Sequence, residues 1–119
     1  ILRGLVGSEM CIRDRAMVDR CFPGCHEAGV DYVAIAAELD LESANASSFS
    51  RRSAKGSYRS IAGSTNVRGD GLVPIDAALL RDARQLTLPD TAHGGLFGSS
   101  WYATATRLEK WWHFACAMP

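Results

Sequence analysis

The chain contains no run of eighteen apolar residues, so nothing in it reads as a membrane-spanning helix. It has no net charge: thirteen Lys and Arg balance thirteen Asp and Glu, which removes the global basic signature expected of a nucleic-acid binder. Its start lacks the basic, then apolar, then small-residue order of a secretory signal peptide, which favours the cytoplasm over export. Cysteine is sparse and irregular, at 11, 21, 25 and 116. Four such positions found no disulfide framework, and reduced thiols are expected. Cys21, Cys25 and His26 have metal-ligating chemistry, but the later candidates, His93, His113 and Cys116, do not form the second ligand pair that a zinc site needs. Neither a metal nor a cofactor is expected.

What is present, in 119 residues with an ordinary apolar fraction, is one soluble globular unit or a piece of one. Residues 30–37 form a short apolar run with β-branched and aromatic members after Gly29, which suits an interior parallel strand. Residues 41–69 change character. They are rich in Ser, Ala, Gly and Arg, and from Ser43 to Gly69 they carry Arg51, Arg52, Lys55, Arg59 and Arg68 without an acid. This reads as a polar, basic excursion or lid-like loop, with a helical turn near residues 57–61. Asn45-Ala46-Ser47 spells a glycosylation acceptor but, without secretion, carries no implication.

A short helix is expected from Pro74, whose missing N–H suits a first helical position, with Ile75, Ala78 and Leu79 on one face. Residues 84–88 read as a second strand, stopped by Pro89-Asp90. A helix between two strands implies a parallel crossover. Residues 99–114 read as a long final helix, capped by Ser100, with Trp101, Ala105, Leu108 and Trp112 in a stripe that packs on the sheet. The fold class is therefore α/β.

Two positions carry chemistry. Asp70 lies in Arg68-Gly69-Asp70-Gly71-Leu72-Val73-Pro74, where flanking glycines let the carboxylate turn inward. Arg68-Gly69-Asp70 also spells an adhesion tripeptide, but the turn accounts for it. His93, in Thr91-Ala92-His93-Gly94-Gly95, falls five residues beyond Leu88, where ligand-handling residues of an open parallel sheet sit. An acid and a histidine so presented form two thirds of a hydrolytic triad.

Gly69-Asp70-Gly71-Leu72-Val73-Pro74, a short helix, Gln85-Leu86-Thr87-Leu88, His93, then Ser100-Trp101-Tyr102 and a tryptophan-bearing tail together resemble the C-terminal end of α/β-hydrolase-fold lipases and esterases. The Phe22-Pro23-Gly24 turn adds to the likeness, which covers about residues 19–113. The resemblance implies a C-terminal fragment of that fold, with Asp70 as triad acid and His93 as general base in the hydrolysis of a small-molecule or lipid ester. Every serine here fails the G-x-S-x-G pattern, so the nucleophile is expected upstream of residue 1 and the chain alone is expected to be inactive. Residues 9–15 resemble the translated transposon end used to prepare sequencing libraries, as found in metagenome-derived reading frames. That implies an artefactual leader over 1–15 and a domain over 16–119. A different class of function stays open: a non-enzymatic binding module whose basic residues 51–68 contact an anionic partner, Asp70 serving only to cap a turn.

Overall fold

A computed structural model describes residues 13–25 and 27–117. Among the described residues, the fold comprises four helices and a two-stranded parallel sheet: α1 over residues 13–21, β1 Val33–Glu38, α2 Ser48–Ala62, α3 Ile75–Ala78, β2 Arg84–Pro89 and α4 Ala105–Cys116. The expected artefactual leader lies mostly outside the described residues; residues 13–15, expected to lack regular structure, open the described part of α1, and Arg15 donates to the Asp76 carbonyl at 3.2 Å.

The strands pair from Val33 opposite Arg84 to Glu38 opposite Pro89. The parallel crossover is as the sequence implies, with small boundary shifts. β1 starts three residues later than expected, because Val30 is half exposed and only Ala34, Ala36 and Ala37 are buried. β2 shows the period of two, with Leu88 fully buried and Gln85, Thr87 and Pro89 exposed. Its first residue, Arg84, donates to the Phe114 and Ala115 carbonyls at 2.9 and 3.2 Å, pairs with Asp31 at 3.0 Å and lies over the Phe114 ring. It thereby satisfies open carbonyls at the end of α4.

The largest correction concerns residues 41–69. Instead of an irregular excursion with one helical turn, residues 48–62 are a full helix. Ser47 caps it by accepting the Ser50 N–H at 3.1 Å, and Gly63 closes it in the left-handed region at φ 76°, its N–H bonded to the Arg59 carbonyl. Ser50, Ala54 and Tyr58, at i, i+4 and i+8, form its buried face. The serines that made the stretch look loop-like serve as a cap and as tertiary donors: Ser57 Oγ donates to the Leu72 carbonyl at 2.8 Å.

The final helix is also shorter than expected. Ser100 does not cap it: its carbonyl, which a cap would offer to the first turn, accepts the Ala92 N–H and the Asn45 amide, and after a further turn Thr104 precedes the first helical residue. Trp101 thus falls outside the helix, and the expected stripe does not pack: Leu108 is 39% and Trp112 55% exposed. The inward face is instead Arg107, Trp111 and Phe114, at i, i+4 and i+7, each half-buried. α3 is a single turn, with Pro74 as its cap rather than its first residue.

The core is small and centres on the carboxyl ends of the strands, where Leu39, Ala46 and Ala92 are buried under Leu41, Phe97 and Trp101. Asn45 ties that region together. Its amide donates to the Asp90 and Ser100 carbonyls at 2.9 and 3.1 Å, and its oxygen accepts from Ser100 N–H and Ser99 Oγ at 2.6 and 3.1 Å. The nitrogen that glycosylation would modify is thus committed to two carbonyls. Asn45→Ala strands these partly buried groups together, and the expected loss is about 2–3 kcal/mol, read as a lower urea midpoint at unchanged slope.

Candidate functional site

Asp70 is placed by main-chain bonds on both sides of its turn. The Leu39 N–H, just past β1, donates to the Gly69 carbonyl at 2.7 Å, which brings the chain back to the sheet after its detour through α2. Gly69 bridges to Pro74, and the Asp70 N–H donates to the Val73 carbonyl at 3.1 Å. Within this loop Gly71 takes φ 103°, a region L side chains avoid, and its N–H is held by the Tyr58 hydroxyl at 2.9 Å. The Asp70 Oδ1 then accepts the Leu72 and Val73 N–H groups at 3.1 and 2.8 Å. With one oxygen so occupied, the second is fixed in direction, and the residue is only 2% exposed.

His93 arrives from the other strand. After β2, Asp90 turns the chain at φ 40°, the Thr91 N–H donates to the Glu38 carbonyl and the Ala92 N–H to Ser100. Thr91 is buried; its hydroxyl donates to the Pro89 carbonyl and accepts from Arg107 Nε, both at 2.9 Å. The His93 N–H then donates to the Asp70 carbonyl at 2.9 Å, and its Nδ1 meets Asp70 Oδ2 at 3.0 Å. The ring stands edge-on to Phe97, centroids 5.5 Å apart, and its side chain is part-exposed to solvent. The two residues singled out in the sequence are therefore in direct contact.

The burial is asymmetric, and that asymmetry sets the chemistry. The Asp70 side chain is 3% exposed and the His93 side chain 40%. As a carboxylate, Asp70 is an acceptor only, so a neutral imidazole bonded to it carries its proton on Nδ1 and keeps the Nε2 lone pair. Such a ring can take a proton at Nε2 while the carboxylate faces the resulting charge. No hydrogen bond from a hydroxyl or thiol to Nε2 is seen among the described residues.

Two tyrosines belong to the site that the sequence did not single out. The Tyr102 hydroxyl donates to Asp70 Oδ2 at 3.2 Å, the same oxygen that meets His93. Burial, the Asp70 charge and that hydrogen bond all push the Tyr102 phenol well above the ordinary tyrosine range, so it stays a neutral donor. Burial also raises Tyr58, whose bond from Gly71 works in the opposite direction. Tyr102 had a visible signal, its place in Ser100-Trp101-Tyr102; Tyr58 had none, because it meets the turn only through α2.

The basic segment is partly used up internally. Arg51 donates to the Leu41 and Ser43 carbonyls at 3.1 and 2.9 Å, and Arg68 pairs with Glu38 at 3.2 Å. Arg52, Lys55 and Arg59 are exposed on α2. Among the described residues no three His, Cys, Asp or Glu side chains converge as a metal site, and His26 lies outside the described residues. Cys25 donates to the Arg81 carbonyl. A hollow of about 620 Å³ bordered by Asp14, Arg15, Asp76 and Leu80 contains neither Asp70 nor His93. No helix among the described residues is long and apolar enough to cross a membrane. No protein-family model, curated protein or solved structure matches the chain, which leaves the geometry around Asp70 and His93 as the ground for a functional reading.

Proposed function

We propose that the chain is the C-terminal part of an α/β-hydrolase-fold serine hydrolase acting on carboxylic esters, of lipase or esterase type. One observation carries the reading: a buried, fully bonded carboxylate 3.0 Å from the Nδ1 of a part-exposed histidine. The order of the parts agrees with it, since acid and base lie beyond the carboxyl ends of adjacent parallel strands, acid first. Among the described residues β1 pairs with β2 alone, and its other edge is where further strands of such a sheet would add.

In the reaction, a serine Oγ supplied upstream attacks the ester carbonyl while His93 Nε2 takes its proton. His93 then gives that proton to the departing alcohol, and water repeats the cycle on the acyl-enzyme. Asp70 keeps the imidazole in the Nδ1–H tautomer and stabilises the imidazolium. Backbone donors for the oxyanion are assigned to the upstream part. The chain alone, without the nucleophile, does not turn over.

The test is to extend the coding sequence upstream and express the longer protein. A G-x-S-x-G elbow between a strand and a helix is expected, and its serine should be labelled by a fluorophosphonate at a rate that His93→Ala reduces at least 100-fold. A complete upstream domain without an elbow, or labelling indifferent to His93, overturns the reading.

A further inference from the structure

The Asp70 Oδ2 atom has two donors, and the second is unexplained by a three-residue triad. We propose that Tyr102 is a positioning residue that tunes the basicity of His93, by drawing charge from the carboxylate oxygen the imidazole shares. The inference rests on the reading of Asp70 and His93 as acid and base.

The geometry makes the hydroxyl a fixed part of the pair. Oδ1 is committed to the Leu72 and Val73 N–H groups, so the carboxylate cannot rotate to give each outer donor its own oxygen. Tyr102 is registered against His93 by the pairing of the two segments: the Ala92 N–H donates to Ser100, and Ala92 bridges Trp101. Its own carbonyl accepts the Trp111 Nε1–H at 2.8 Å, which fastens it to α4. The same helix holds the His93 loop through Arg107, bonded to Thr91 Oγ1 and to the Asp90 carbonyl. Both donors to Oδ2 are thus set by one helix.

The electrostatic consequence has a definite sign. A hydroxyl dipole aimed at Oδ2 places its positive end beside the oxygen that faces the imidazolium, so it opposes protonation of His93 while leaving the Nδ1 contact in place. The other titratable and charged groups on the packed elements are accounted for. Tyr58 of α2 is engaged by Gly71, Arg68 beside the turn pairs with Glu38, and Arg107 of α4 is spent on the Asp90–Thr91 segment. Among the described residues, no Lys, Arg, Asp or Glu side chain other than Asp70 bonds His93. The raised phenol keeps Tyr102 protonated while His93 titrates.

The experiment is a nitrogen-15 NMR titration of the His93 ring in the 119-residue chain, with Tyr102→Phe, Asp70→Asn, and a chain carrying 3-fluorotyrosine at position 102. The phenylalanine retains the ring and loses only the donor; the fluorinated phenol is a stronger donor of nearly the same shape. Expected is a graded order: the His93 pKa rises by roughly 0.3–1 unit in Tyr102→Phe and falls below wild type with fluorotyrosine, the Nδ1–H tautomer persisting in both. Asp70→Asn should lower the pKa and abolish that tautomer. An unchanged or lowered pKa in Tyr102→Phe, or a fluorotyrosine chain that does not differ from wild type, overturns the proposal while the Asp70 response leaves the acid–base pair standing. A His93 titration indifferent to Asp70→Asn removes the pair and the tuning together.

Discussion

Asp70→Asn in the longer, proposed hydrolase is expected to lower kcat about 10⁴-fold with little change in KM. The reason lies in the two backbone donors on Oδ1. The introduced amide must keep its carbonyl toward the Leu72 and Val73 N–H groups, so its NH₂ takes the place of Oδ2 and faces His93 Nδ1. A donor cannot accept the Nδ1 proton. The imidazole then shifts that proton to Nε2, where the lone pair is needed to receive one from serine. Asp70 is buried and offers a substrate no surface, which is why the loss falls on kcat. His93→Ala should cost a similar factor by deleting the base. Hydrolysis of a p-nitrophenyl ester, with circular dichroism to confirm the fold, measures both; activity within tenfold of wild type in either variant ends the site assignment.

The largest stability effect is expected at Gly69, well inside the same turn. A Cβ there would strike the Val73 carbonyl oxygen and approach Tyr58 Cε1 at 2.8 Å and the Pro74 Cα at 2.9 Å. Two of these three are main-chain atoms of the bridge that closes the turn, so no side-chain rotation relieves the contact. Opening the bridge instead releases the Asp70 N–H from Val73 and disturbs the Leu39 bond to Gly69. Gly69→Ala should therefore lose roughly 2–4 kcal/mol. Gly94→Ala, where the added methyl meets nothing, should stay within about 0.5 kcal/mol. Urea denaturation of the two variants checks this: equal midpoints would show that the turn is not closed as described.

The residues that could be read from the sequence were those whose local chemistry and tertiary role coincide. Asp70 sits in a turn whose glycines have visible reasons, and His93 follows a strand whose end is marked by Pro89, so chain order alone put both beyond the same sheet edge. α2 was hidden for the opposite reason. Its serines and glycine argue against a helix one residue at a time, while the cap at Ser47, the stop at Gly63 and the Ser50, Ala54, Tyr58 spacing argue for it only when taken together. The tail shows the same competition at a boundary. Ser100 is the expected cap, and it is claimed instead by Asn45, 55 residues away, whose amide donates to the Ser100 carbonyl that a cap would offer to the first turn. Once the helix starts late, the apolar stripe loses its first member and the inward face turns to Arg107, Trp111 and Phe114.

Acid and base are joined twice, once through side chains and once through the His93 N–H on the Asp70 carbonyl. The second link does not depend on what either side chain is. Their separation is consequently set in part by main chain, so exchanging the imidazole for another group changes what the pair can do chemically while this link still holds the two positions together.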